Sequence, residues 1–503
     1  MKFKRADDFR LALTNRLLDW AEKQTTFKSE TFLELRRVRQ RQRRDAQAAF
    51  EKSAPIEGVS LDLLSFRMFD LFQIQDLDQF FKNSTRLIPD LEDKLIGWGF
   101  STEFRKHAEN LWGGGWWNMG FLIRDRKGRL FGGPSRVINE LPSQVDYIQV
   151  QVQKILASMF VLVLDVHLTP DATQEMNEIH RIQYLPEIRF RRLLPRGRSL
   201  GGFSMLYADM VRRREVIRWI ADLRWRIEEV LQPYISGYFI KQVPKTHLPA
   251  IDVFTISGIP NEKDKFIEWA DLRRNWWDSF GFNFPYYTVF SDDHLMFSLE
   301  EDDRYRNAEM QSSFRIVVFR EAYLSTVKAD MYHGDNNFAI IHNIQDKILS
   351  SILPTIALIK YLASLEKETE QLRQVVFGAM RPGFIVSFLL GKLIRVNDKL
   401  FQQTMLLDRV SLELDQAKPL YGKNMQEVAN LKALGSISEE WSDLSKALSW
   451  QLNSRIELLQ KNLKFLTDWY SQYITIRNIS ATYLLAIVAI IAALLSILIS
   501  LWQ

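Results

Sequence analysis

The chain has 503 residues, 47% hydrophobic and 25% charged, with 66 Lys and Arg against 61 Asp and Glu for a formal charge of +5. This is the composition of a folded protein with ample length for a core, and it excludes a disordered chain. The sequence has no cysteine, which removes structural disulfides, Cys-ligated zinc, iron–sulfur clusters and thiol nucleophiles together.

Residues 1–111 read as a helical N-terminal region. Phe9, Leu11, Leu13, Leu17, Leu18 and Trp20 have the loose spacing of an amphipathic helix, and a second helix from about Ser29 carries Arg36, Arg37, Arg39, Arg41, Arg43 and Arg44. Residues 61–81 and 91–104 read as two further helices, separated by turn-forming sequence at 53–58 and around Pro89.

The signal changes at Trp112, and residues 112–335 read as an α+β cytosolic domain with a central mixed or antiparallel sheet. A Gly-rich turn at 112–117 comes first, then a hairpin whose turn is 125–128. Ile148, Val150 and Val152 alternate with Gln149, Gln151 and Gln153, the period of a half-exposed strand. The apolar run 159–167 is expected to be a central strand, and 211–231 a helix. Strands follow at 251–256, 286–290, 295–299 and 314–319, the second and third forming a hairpin through residues 291–294.

Residues 336–435 read as a helical hairpin: one long helix over 340–380 bent at Pro354, a break at Arg381, Pro382 and Gly383, and a return helix to about Ala417. The apolar stretch 383–391 is far too short to cross a bilayer. Residues 436–480 read as a stalk helix opening on a capping box of Ser436 and Glu439. Its apolar residues, among them Leu459, Leu463 and Leu466, recur at steps of three and four, with a stutter over 444–456. They are expected to face other copies in a homo-oligomer.

Residues 481–503 carry no charge, Pro or Gly. At 1.5 Å per residue they reach roughly 30 Å, the thickness of a bilayer core, so the long C-terminal helices are expected to end in one transmembrane helix. Tyr483 and Trp502 stand near its ends, where amphipathic rings prefer the headgroup level. Lys461, Lys464 and Arg477 flank the N-terminal side and only Gln503 follows Trp502, which puts the N-terminal part in the cytoplasm of a single-pass, tail-anchored protein. Small residues at Ala489, Ala493 and Ser496, with Ala492 and Ser500, give the span a face for self-association.

Two groups of residues point to chemistry. Arg189, Arg191, Arg192, Arg196 and Arg198 lead an Arg-rich, Lys-free segment that runs on through Arg212, Arg213, Arg214, Arg218, Arg224 and Arg226. The planar guanidinium grips phosphate in bidentate fashion, and Gly197, Gly201 and Gly202 let backbone approach an anion closely, so a nucleotide, a nucleic acid or a lipid headgroup is the implied ligand. A salt-bridged surface is the alternative. Asp165 and His167 share one face of a strand, a weak acid–base or metal signal, and His333, Asp335 and His342 lack a usual ligand spacing. No phosphate loop, nucleophile elbow, HExxH or dinucleotide fingerprint is present, and no cofactor, catalytic residue or metal ligand is assigned.

The layout over roughly 112–500 is similar to that of CorA-type metal-ion channels, in which an α/β domain and paired helices precede a long helix entering the membrane. That family has two spans joined by a Gly-Met-Asn loop; this sequence has one span and no such tripeptide, so ion selectivity is not carried over. The expected function is a cytosolic sensor or binding domain coupled through a helical stalk to oligomerisation or membrane permeability, the layout of a bacterial stress or defence effector. The alternative is a membrane-tethered enzyme or a nucleotide- or nucleic-acid-binding protein using the Arg-rich region.

Overall fold

The computed structural model describes residues 13, 15–20, 23, 30–53, 57–89, 116–124, 134–190, 203–242, 247–259, 276–277, 280, 289–299, 313–326, 336–379, 386–434 and 439–502. The chain divides into two compact units: Met1–Pro354 with Lys423–Ala447, and Thr355–Gly422 with Leu448–Gln503.

The first unit is a mixed α/β structure. In chain order it has α1 (Glu30–Ser53), β1 (Ser60–Gln73), α2 (Leu77–Leu87), β2 (Trp116–Ile123), β3 (Ser135–Val137), β4 (Val145–Leu156) and β5 (Met159–Leu168). Then follow α3 (Pro170–Arg181), β6 (Glu187–Phe190), β7 (Phe203–Leu206), α4 (Ala208–Leu231), β8 (Ala250–Ser257), β9 (Val289–Ser291), β10 (Leu295–Ser298), β11 (Ser313–Phe319) and α5 (Arg320–Thr326). Next come α6 (Asn336–Asn343), a π turn (Ile344–Leu349) and the start of α7 (Ser350–Ala379). After α8 (Val386–Gln426) the chain supplies the short strand β12 (Lys432–Ala433).

Among the described residues ten strands form one sheet in the order β12-β9-β10-β11-β8-β1-β5-β4-β2-β3, and β6 and β7 form a separate hairpin. The large sheet is mixed: β8 with β11 and β2 with β3 are parallel, and its other pairs are antiparallel. The strands expected at 148–152, 159–167, 251–256, 295–299 and 314–319 are present as β4, β5, β8, β10 and β11, and β9 and β10 pair as a hairpin.

The helix expected over 61–81 is not formed. Its first part is β1, hydrogen-bonded between β5 and β8 at the centre of the sheet, and only the later residues are helical, in α2. β1 is buried on both faces over nearly its whole length, so it lacks the polar alternation of a half-exposed strand. Leu61, Leu64, Met68 and Leu71 stand at steps of three and four, which imitates a helix. The N-terminal region is therefore helical in α1 and α2 and extended between them. The helix expected over 91–104 and the hairpin turn at 125–128 lie outside the described residues.

Both sheet faces are covered. On one, Leu63, Phe254, Ile256 and Val317 pack with Val216 and Ile220 of α4 and with Trp277. On the other lie α6 and the π turn, and Gln153 Nε2 donates to Ser350 O at 2.8 Å. The irregularity expected at Pro354 occurs upstream of it, as the π turn, and α7 continues through Pro354. Among the described residues, one helical stretch, Asn336–Val375, is long and apolar enough to cross a membrane, and its most apolar window is 67% buried, as in a core helix. It lies mid-chain.

The second unit comprises the rest of α7, α8 to Gly422, and α9 (Leu444–Trp502) from Leu448 onward. The capping box at Ser436 lies outside the described residues, and Asp443 caps α9 instead, its carboxylate accepting from Lys446 N at 3.0 Å. Leu358, Leu362, Leu365 and Leu372 of α7 are buried in this unit, as are Val396, Leu400, Leu407, Val410 and Leu414 of α8. So are Leu448, Leu452, Ile456, Leu459, Leu463, Leu466 and Tyr470 of α9. Each set follows steps of three and four, or sevens where polar residues intervene, the seam of helices packed side by side. Arg455 Nη1 meets Glu366 at 2.7 Å, and Gln403 Nε2 donates to Glu368 at 3.2 Å.

The apolar stripe of the expected stalk is thus packed within the chain. Leu459, Leu463 and Leu466 are 0–2% exposed within a single chain, so within the chain they are core residues of the helical unit. Replacing Leu459 or Leu463 by Ala is expected to cost about 2–5 kcal/mol each, seen as earlier unfolding of the helical unit in a urea melt at unchanged oligomeric mass. A variant that melts like the parent but loses mass by light scattering would return the stripe to a contact between copies.

Candidate functional site

Strand alternation puts Asp165 and His167 on one face of β5, and the register decides their neighbours. Arg67 of β1 lies opposite Asp165, with Gln149 of β4 on its other side; Ser65 and Tyr147 flank His167 in the same way. Arg67 grips Asp165 with two bonds, Nε to Oδ1 at 2.5 Å and Nη2 to Oδ2 at 2.8 Å. The two side chains are 3% and 1% exposed. A carboxylate held at both oxygens works as a structural ion pair.

The His167 ring stacks on Tyr147 at 4.1 Å and its Nε2 is 3.3 Å from the Gln345 amide nitrogen in the π turn. The His342 ring is 6.1 Å away and packs on Phe338 at 4.1 Å. Asp346, next to Gln345, feels Arg67 and Asp165; desolvation raises its carboxyl above the ordinary range, and His342 and Arg67 oppose that shift. The face thus brings together Arg67, Tyr147, Gln149, Asp165, His167, His342, Gln345 and Asp346. Sequence reading supplied Asp165, His167 and His342 and missed the other five.

Among the described residues no three His, Cys, Asp or Glu side chains are grouped to hold a metal ion. His333 and Asp335 lie outside the described residues. His180 is buried and stacked on Phe280 at 4.2 Å; desolvation pushes its imidazole down to about 3, helped by Arg212 and Arg181, so it stays neutral. The geometry is therefore a buried, internally paired polar network between a sheet and a π turn. π turns recur where a helix carries function.

On the opposite sheet face Asp252 of β8, fully buried, takes the Arg224 guanidinium of α4 and stands 3.7 Å from Arg315 Nε on β11. Arg224 also covers the Phe66 ring at 5.2 Å.

The Arg-rich segment is split by the fold. Arg214 pairs with Glu187 and Glu215, and those hydrogen bonds raise its pKa; Arg218 pairs with Glu215 at 3.2 Å. Arg212 is buried, donates to Ile182 O at 3.5 Å and has its pKa lowered by desolvation. These α4 arginines are structural. Arg189 lies in β6 opposite Ser204, and Arg191, Arg192, Arg196 and Arg198 lie outside the described residues. Tyr483 and Ala489 are exposed on α9, which also contains Ala493, Ser496 and Trp502. Asp292 serves a turn, its carboxylate accepting from His294 N and Leu295 N, each at 2.8 Å.

Removing one partner of the buried pair leaves the other charge uncompensated. Arg67→Met or Asp165→Leu alone is expected to cost about 3–5 kcal/mol, and the double variant to recover much of that loss. A double-mutant cycle from denaturant melts checks this, and additive losses would contradict it.

Comparison of the chain with protein-family models, with curated proteins and with solved structures finds no match, so its own residues carry the functional reading.

Proposed function

We propose that this chain is a single-pass membrane protein, anchored by residues 481–503 with its N-terminal part in the cytoplasm, whose α/β unit is a binding or sensing body. The observation that carries this reading is the surface of α9. Tyr483, Leu485, Ile487, Val488, Ile490 and Ile491 are each at least half exposed. At about 100° per residue these positions, together with exposed Ala486 and Ala489, point to every side of the helix, and a helix apolar all round needs apolar surroundings. A lipid bilayer supplies them.

The link between body and anchor is covalent and helical. The π turn that contacts His167 leads directly into α7, which begins in the first unit and ends in the second, the unit that contains the anchor helix. A change in the buried network therefore has a continuous helix to act on. The signal would be read as oligomer packing or membrane permeability, with copies meeting in the span along Ala489, Ala493 and Ser496. The ligand reading narrows to a phosphate-bearing group at Arg189, Arg191, Arg192, Arg196 and Arg198, because Arg212, Arg214, Arg218 and Arg224 are engaged by the chain's own carboxylates and carbonyls.

Deleting residues 481–503 is expected to move the protein from the carbonate-resistant membrane fraction to the supernatant, without changing the melt of the α/β unit. A truncated protein that still floats with lipid, or a full-length chain that stays in the supernatant, would overturn the anchor assignment.

A further inference from the structure

β1 outruns its neighbour β8. Their ladder ends at Met68 opposite Ala250, with one further bond from Phe69 N to Pro249 O at 3.1 Å. Leu71, two residues on, points to the same side, and there the segment following α4 takes over the edge: Tyr238 N donates to Leu71 O at 2.7 Å. Between these two bonds the Asp70 carboxyl reaches across. Its Oδ1 accepts from Phe239 N at 2.7 Å and from Leu71 N at 2.9 Å.

The segment has other fastenings. Asn83 of α2 donates to Ser236 Oγ at 2.9 Å, Arg136 donates to Tyr234 Oη at 3.0 Å, and the Phe239 ring meets Phe69 edge-on at 6.2 Å. Gly237 lies so close that a Cβ there would stand 2.3 Å from the Asp70 carboxyl carbon and Oδ2. The site is therefore built around the carboxyl, with backbone wrapped against it where a side chain has no room.

Among the described residues no cation is paired with this carboxyl. Asp70 is fully buried, its Oδ2 has no hydrogen-bond partner among the described residues, and β5 sets Leu162 opposite it. Of the charged groups around this clasp, Arg67, three residues before Asp70, is paired with Asp165, Arg136 is engaged with Tyr234, and Lys241 is exposed. None of the three sets the titration: burial pushes the carboxyl up to about 7, against the backbone N–H groups of Phe239, Leu71, Ile240 and Gly237.

We propose that Asp70 and the backbone of residues 237–240 form a proton-operated latch, which holds the segment after α4 on the edge of β1 while the carboxyl is neutral and loosens when it ionises. A buried carboxylate with no counter-charge is costly, and opening the segment to water relieves it.

The direction follows from linkage. Closed, the carboxyl keeps its proton up to about 7; opened, it titrates near the ordinary 3.8. Between those values each opening releases one proton, so the opening constant rises about tenfold per pH unit and levels off above about 7. The latch contributes most on the acid side and loses that contribution as pH rises.

Hydrogen exchange of the full chain in detergent, followed by mass spectrometry of peptides covering residues 234–242 from pH 5 to 8.5, tests this. After correction for intrinsic exchange, the wild-type opening constant is expected to rise at least tenfold from pH 5 to 7 and then level off. Asp70→Asn is expected to remove the slope, and Gly237→Ala to open the segment at every pH. A flat wild-type profile overturns the proposal whether or not the variants fold, and so does an Asp70→Asn profile with the wild-type slope.

Discussion

Charge buried in the middle of a two-faced sheet is the constraint on which the first unit depends. Arg67, Asp70, Asp165, Asp252 and Arg315 are all 0–3% exposed, and none can be left to water. β1 is apolar towards both faces, so its hydrophobic pattern alone does not distinguish one register from the next. Its charges do. Moving β1 by one residue against β5 would turn Arg67 to the face that holds Asp252 and Arg315 and leave Asp165 unpartnered. The ion pairs act as register pins in strands whose apolar residues would tolerate a slip.

The same logic reaches the helix that covers the Arg67 face. Ile340, Ile344, Leu349, Leu353 and Ile356 are buried in sequence, and the step from Ile344 to Leu349 is five residues where a regular helix would use three or four. The π turn absorbs that extra residue and returns the apolar stripe to phase. It also turns Gln345 inward to His167, beside the ion pair. The departure from regular helix and the polar network are thus one feature, and it occurs at the base of the helix that continues into the second unit.

Sequence showed most of the elements and little of the site. β4, β5, β8, β10 and β11 were legible because apolar runs of strand length were bounded by turn residues, and α1 and α4 because their spacing was helical. β1 was not, since burial of both faces erased the alternation. That one misreading also hid the site: Asp165 and His167 were visible on a common face, but the partner Arg67 sat in a segment read as helix. Likewise, Glu187 and Asp252, which engage Arg214 and Arg224, lie 27 and 28 residues from them in sequence, beyond any local pattern. Residues 459–466 were legible as a seam, but spacing cannot tell a seam within a chain from a seam between chains.

α9 makes that last distinction physical. Up to Tyr470 it is amphipathic, with one stripe buried and the flanks Lys461, Lys464 and Asp468 in water. The last charge is Arg477, and every described side chain from Thr482 to Ala492 is exposed. At about 25 cal/mol per Å² of apolar surface, leaving those isoleucines, leucines and alanines in water along several turns forgoes many kcal/mol of burial. The change from one buried stripe to none, within a single uninterrupted helix, is the feature that the proposed bilayer anchor would account for.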